Sequence, residues 1–366
     1  MVSSALIATV SALMMGCLAL GSLRLSGTSR RSGGGPWDQR RAANYLDSRT
    51  KAWASGGAME HGTFCVSCHT ALPFALARPA LRTGLGERQA SSAERLLMES
   101  ITQRVRTWDK VQPYLGDKSG GLGTESVLNA LILAQEDARR GKMSETTQLA
   151  LRIMWSKQIK SGDRAGSWPW ISAGNEPWEA PDSDYWGATL ALVAAGTAPE
   201  GYLETPQIRS DLDLLRSYLR RGEAGKSLFN RLSLLWAGSK ASGLLTATQR
   251  ASIINSTLAK QHPDGGWSTA ELIPESWARR DRTVQETKSD GYATGFVAYT
   301  LEESGVRSNR PELHKALSWL ARNQDRSNGT WTTVSPNITR DGATDVGKFM
   351  TDAATAYAAL ALSSDH

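Results

Sequence analysis

From Trp37 onward the hydrophobic pattern alternates between two kinds of helical segment. One kind carries its apolar residues at the three-and-four spacing of a single buried face. The other is apolar or small on nearly every side, which a helix tolerates only when protein surrounds it. Loops rich in Gly, Pro and Trp separate them. The pattern predicts six helix pairs: 37–53 with 68–77, 90–108 with 124–138, 145–160 with 184–196, 206–221 with 226–239, 246–261 with 290–304, and 310–323 with 351–362.

The second members of these pairs are alike. Thr124-Glu125-Ser126-Val127, Ser183-Asp184-Tyr185-Trp186, Ser289-Asp290-Gly291-Tyr292 and Thr351-Asp352-Ala353-Ala354 each open with a polar capping signal and continue small and apolar. Ser, Thr and Asp satisfy free backbone donors at a helix start, and a carboxylate there also complements the helix dipole. That is the plain reading of Asp184, Asp290 and Asp352; the sharper one makes them candidate catalytic acids. Small residues along these helices let them approach around a shared axis. The expected fold class is all-α, an α/α toroid of about six helix pairs with the apolar helices as its inner ring.

Three outer helices end in the same way. Gln158 precedes Gly166-Ser167-Trp168, Gln261 precedes Gly265-Gly266-Trp267, and Gln324 precedes Gly329-Thr330-Trp331. Physically, Gly frees the turn, the Trp ring covers the helix end and the Gln amide fills orphan backbone groups. This pattern resembles the Gln-Trp repeat of squalene and other triterpene cyclases, in the superfamily that also includes the protein prenyltransferase barrels. The resemblance extends in architecture from Trp37 to the C-terminus, with the motif itself in the third, fifth and sixth pairs. It implies an α/α barrel and a stabilising role for the repeats.

Composition changes this picture little. The 366 residues include 13 Trp, only 5 Phe and 34 Gly, which suits repeated turn chemistry. The formal net charge of +6 comes from 42 basic residues scattered among 36 acidic ones, with no basic run or aromatic-basic stripe, so nucleic acid is not an expected partner. Val2 to Leu23 carry no charge and are strongly apolar, which predicts a signal peptide or an N-terminal membrane anchor over 1–25. A flexible Gly/Ser/Arg linker over 26–36 then leads to one toroid domain over 37–366. Arg24, Arg30 and Arg31 follow the apolar run rather than precede it, against the usual export pattern. The expected location is periplasmic or membrane-anchored, with the body outside the cytoplasm.

The sharpest chemical motif is Cys65-Val66-Ser67-Cys68-His69, which uses two of the three cysteines. Two thiols at this spacing can add to the vinyl groups of haem while the adjacent His supplies an axial nitrogen to iron. It resembles the attachment motif of c-type cytochromes, which implies haem c as cofactor, Cys65 and Cys68 as attachment sites and His69 as the iron's axial ligand. Met59 and His61 are the near candidates for a second axial ligand. The rival reading takes the pair as redox thiols, or as zinc ligands with His69 and a carboxylate such as Asp290 or Asp352.

The motif lies where the other repeats begin their inner helix, so it is expected to share one end of the ring with Glu125, Asp184, Asp290 and Asp352. There it would face Tyr185, Trp186, Tyr292 and Tyr357 across a cavity mouth. The cyclase chemistry itself lacks its signals. No Asp-x-Asp-Asp acid motif and no Asp-rich metal motif occurs, and Tyr185 stands where the acid after Asp182-Ser183-Asp184 would be needed. The leading function is an exported or tethered haem protein for electron transfer, redox sensing or haem-dependent oxidation, with a redox partner or a small hydrophobic ligand. The alternatives are a cyclase- or prenyltransferase-like cavity enzyme and a non-catalytic binding ring.

Overall fold

The computed structural model describes residues 37–56, 59–60, 62–112 and 120–364; the expected N-terminal apolar segment and linker lie outside the described residues, as do His61 and the side chain of Met59. The described body is all-α apart from one ribbon, β1 (Met59–Glu60) paired antiparallel with β2 (Thr63–Phe64). Among the described residues no helix is long and apolar enough to cross a membrane.

Six helices have one buried face: α1 (Gln39–Ser55), α3 (Ser92–Arg106), α5 (Glu145–Ser156), α7 (Arg209–Gly222), α9 (Ala247–Leu258) and α12 (Pro311–Arg322). Their starts follow from local chemistry. Asp38, Ser144 and Thr246 each accept a hydrogen bond from the third residue on, and Ser91 with Glu94 forms a reciprocal capping box. Six others are buried almost all round: α2 (Ala71–Gly84), α4 (Gly121–Arg140), α6 (Asp184–Thr197), α8 (Leu228–Lys240), α11 (Gly291–Glu303) and α13 (Phe349–Ser363). In α11 every residue from Gly291 to Leu301 is buried. One short helix, α10 (Thr269–Leu272), and the ribbon were not expected from periodicity, being too short to show a period.

Contacts among the buried helices run from α2 to α4, α6, α8, α11 and α13, and α13 packs back on α2. Glycine sets the closest approach: a Cβ at Gly295 of α11 would meet the Ala358 nitrogen of α13 at 2.6 Å. Aromatic rings fill the middle. Phe296 lies 5.1 Å from Phe229 and 5.2 Å from Tyr357, between centroids, and Tyr292 and Trp186 extend the cluster. Tyr185, expected to face this interior, points the other way. Its hydroxyl donates to the Leu219 carbonyl of α7 at 2.8 Å, because successive helix residues are turned about 100° from one another, so Tyr185 and Trp186 face different neighbours.

The three Gln-Gly-Trp loops have one geometry. Each indole N–H donates to a carbonyl in the last turn of its own helix: Trp168 to Met154 at 2.7 Å, Trp267 to Thr257 at 2.8 Å and Trp331 to Leu320 at 2.8 Å. Each Gln amide donates to the carbonyl of its own loop glycine and to one at the start of the next outer helix. Gln158 reaches Asp211 of α7 at 2.9 Å, Gln261 reaches Glu312 of α12 at 2.7 Å, and Gln324 reaches Asp38, the cap of α1, at 3.0 Å. The indole therefore caps the helix end that the Gln was expected to cap, and the Gln joins consecutive outer helices, including the last to the first.

The loop glycines are required twice over. Gly329 has φ +84°, which costs an L-residue about 1–2 kcal/mol, and a Cβ there would meet the Arg41 carbonyl carbon at 2.5 Å. Forcing α1 away adds a further ~1–3 kcal/mol of packing loss. Gly329→Ala is expected to destabilise the protein by about 2–4 kcal/mol in urea unfolding. Gly141→Ala, at φ +67° with nothing within 4 Å, should cost only about 1 kcal/mol, so equal losses at the two sites would show that the close approach is unimportant.

Candidate functional site

The Cys-x-x-Cys-His segment is held from both sides before any cofactor is considered. Upstream, the Phe64 backbone N–H and carbonyl both bond the Ser100 hydroxyl of α3, at 2.9 and 3.0 Å. Arg104 of α3 donates to the Thr63 hydroxyl at 3.0 Å, and the same buried guanidinium pairs with Glu125. The Trp53 indole donates to the Cys65 carbonyl at 2.8 Å. Downstream, the Ser67 hydroxyl accepts from the Ala71 N–H at 3.0 Å and the Thr70 N–H at 3.3 Å, so a residue inside the motif caps α2. The two variable positions of the motif thus have distinct structural work: Ser67 starts the helix and Val66 is buried in the core.

Cys65 is half-buried and Cys68 is buried. Burial first, then Glu179 and Cys65, hold the Cys68 thiol well above the usual range. His69 is buried in an aromatic sleeve. Its ring stacks on Phe349 at 3.6 Å and 17°, meets Trp53 edge-on at 5.1 Å, and lies 6.4 Å from Trp178. Burial chiefly, aided by Arg49 and Arg340, pushes its pKa down to about 3, so the imidazole is neutral.

The candidate carboxylates separate into different roles. Asp352 is the one joined to the motif: its Oδ2 accepts from the Thr70 hydroxyl at 2.7 Å, and Thr70 Oγ1 is 2.8 Å from His69 Nδ1. Its Oδ1 accepts from Arg49 Nε and the Tyr45 hydroxyl, both at 2.8 Å. Burial raises its pKa, while Arg49 and these hydrogen bonds act to keep it ionised. Asp290 caps α11 through the Ala293 N–H at 3.0 Å and holds Thr269 by its N–H and hydroxyl at 2.6 and 2.9 Å. Asp184 bonds Arg164 at 2.9 Å and Tyr218 at 3.0 Å, facing α7. Of the three expected caps, Asp290 alone caps by its side chain, because Asp184 and Asp352 lie inside their helices rather than before them.

A cavity of about 60 Å³ opens beside His69, lined by Glu176, Trp178, Glu179, Arg340 and Phe349 among others. Trp178 connects it to the central rings by donating to the Tyr292 hydroxyl at 3.0 Å. None of these residues was legible as a site in the sequence, since they come from the segments after α5 and α12 and from the first position of α13, and meet only in three dimensions. Asn337, which matches a glycosylation pattern, is buried: its side chain accepts from the Glu176 N–H and donates to the Glu176 carbonyl, each at 2.8 Å. Among the described residues no cluster of three His, Cys, Asp or Glu side chains converges on a metal-binding point. A scan against protein-family models gives no match, and no curated protein matches the chain.

Glu176 is 4% exposed with no ion-pair partner among the described residues, and burial, then Asp182, raises its pKa to about 7 from 4.5. A carboxyl whose folded pKa is raised contributes stability below pH 4.5 that is lost as pH rises through 7. Glu176→Gln removes that loss. Comparing unfolding at pH 4.5 and pH 8, the variant should gain roughly 2–3 kcal/mol on wild type between the two. Parallel profiles for the two proteins would refute a buried, uncompensated carboxylate.

Proposed function

We propose that the body is an α/α toroid resembling the triterpene cyclase barrels and that it carries one covalently attached haem c. The cyclic contacts of the buried helices and the Gln324 junction back to α1 support the ring. The observation that carries the haem reading is the donor set: the Cys65 and Cys68 side chains, with two residues between them in a held loop, beside a buried, neutral imidazole at His69. A neutral imidazole can give a lone pair to iron without first losing a proton.

In this reading Cys65 and Cys68 would hold the macrocycle by thioether bonds and His69 would ligate its iron. When bound, the group supplies one-electron redox chemistry. The chain's own residues hold and shield it. Trp53 and Phe349 lock the imidazole plane, Ser67 keeps the motif at the start of α2, and the aromatic surroundings exclude water. The cavity beside His69 is well below the several hundred Å³ of a typical cofactor pocket, so loading requires its loop walls to part. Export or membrane tethering by the N-terminal segment would bring the motif to the compartment where haem is attached. The role that follows is electron transfer, redox sensing or haem-dependent oxidation with a redox partner. The cavity-enzyme reading has no such support, because Asp184, Asp290 and Asp352 are each engaged in structural hydrogen bonds.

The test is a haem stain of the denatured full chain, produced with an intact N-terminal segment and periplasmic haem-maturation machinery. A covalent Soret-absorbing band is expected in wild type and its loss in the Cys65→Ser/Cys68→Ser variant. An exported chain that stays colourless while a control cytochrome matures in the same cells would overturn the reading and return the cysteines to thiol or metal chemistry.

A further inference from the structure

The structure assigns Thr70 and Asp352 as positioning residues that fix the tautomer of His69 and leave its Nε2 as a bare lone pair. The inference rests on the haem reading for its purpose but on hydrogen-bond counting for its content. A threonine hydroxyl has one proton. Thr70 directs that proton to Asp352 Oδ2 at 2.7 Å, the acceptor held in place by Arg49 and Tyr45 on its other oxygen. The Thr70 oxygen, 2.8 Å from His69 Nδ1, can then only accept. The Nδ1 must therefore carry the ring proton. A neutral imidazole has one N–H, so Nε2 has none and is ready to ligate.

Phe349 stacked on the ring and Trp53 against its edge prevent the imidazole from turning over to exchange its nitrogens. The chain from Asp352 through Thr70 also has an electronic consequence. A ligating imidazole whose far N–H is hydrogen-bonded toward a carboxylate becomes a stronger donor, which favours the higher oxidation state of the metal. Thr70 stands immediately before the first buried helix and Asp352 lies in the last, and these two helices pack together. The same helix contact that closes the contact cycle therefore orients the ligand.

Two readouts test this. In the full chain isolated without haem-attachment machinery, side-chain ¹⁵N NMR, with His69 assigned by comparison with His69→Gln, should show the Nδ1–H tautomer. Thr70→Val should shift it toward Nε2–H, and Thr70→Ser, which keeps the hydroxyl, should restore Nδ1–H. An Nε2–H ring in wild type, or an unchanged Nδ1–H ring in a folded Thr70→Val chain, would overturn the assignment. In the haem-loaded protein, Thr70→Val should raise the midpoint potential while Thr70→Ser leaves it near wild type. Equal potentials in all three would overturn the electronic role. A chain that loads no haem but shows the expected tautomers would defeat the haem reading alone, so the two failures are distinguishable.

Discussion

The junction made by each Gln-Gly-Trp loop is the constraint on which the rest of the body depends. An outer helix ends with carbonyls that lack partners, and the buried indole N–H supplies one. The Gln amide then spans from the loop to the start of the following outer helix. Because glycine lets that helix lie directly against the loop backbone, the distance between neighbours is set by backbone contact rather than by adaptable side chains. The third of these junctions joins the last one-faced helix, α12, to the cap of the first, α1. The inner helices, buried on all sides, have no stable arrangement without that outer support.

The polar network at the motif follows from the same arrangement. Bringing α13 against α2 and α1 sets Asp352 among Arg49, Tyr45 and Thr70, where a buried carboxylate is tolerable only with a cation and several donors. Arg104 and Glu125 make the equivalent pairing on the other flank, behind the β2 strand. The motif is therefore suspended between two buried ion pairs, each contributed by different helix pairs.

Much of the body was legible because helical periodicity is a local property. The helix predicted over 184–196 is observed as Asp184–Thr197, and that over 290–304 as Gly291–Glu303. The start of α2 was misread by a few residues, since Cys68, His69 and Thr70 form a turn capped from Ser67 rather than the first helical positions. The candidate carboxylates looked equivalent in sequence because each follows a polar residue ahead of an apolar run. They are unlike in space: Asp290 stands before its helix, whereas Asp184 and Asp352 lie within theirs and face α7 and α1.

The sequence by itself determined the helix pairs, the loop signature and the Cys-x-x-Cys-His spacing, because spacing, caps and residue type act over a few positions. Only the tertiary structure decided which carboxylate reaches the imidazole, that Trp178 and Phe349 surround it, and that the Gln side chains bridge between helices rather than cap their own. Those outcomes depend on residues separated by up to 307 positions, such as Tyr45 and Asp352, and no local pattern records a partner that arrives only when the last helix packs against the first.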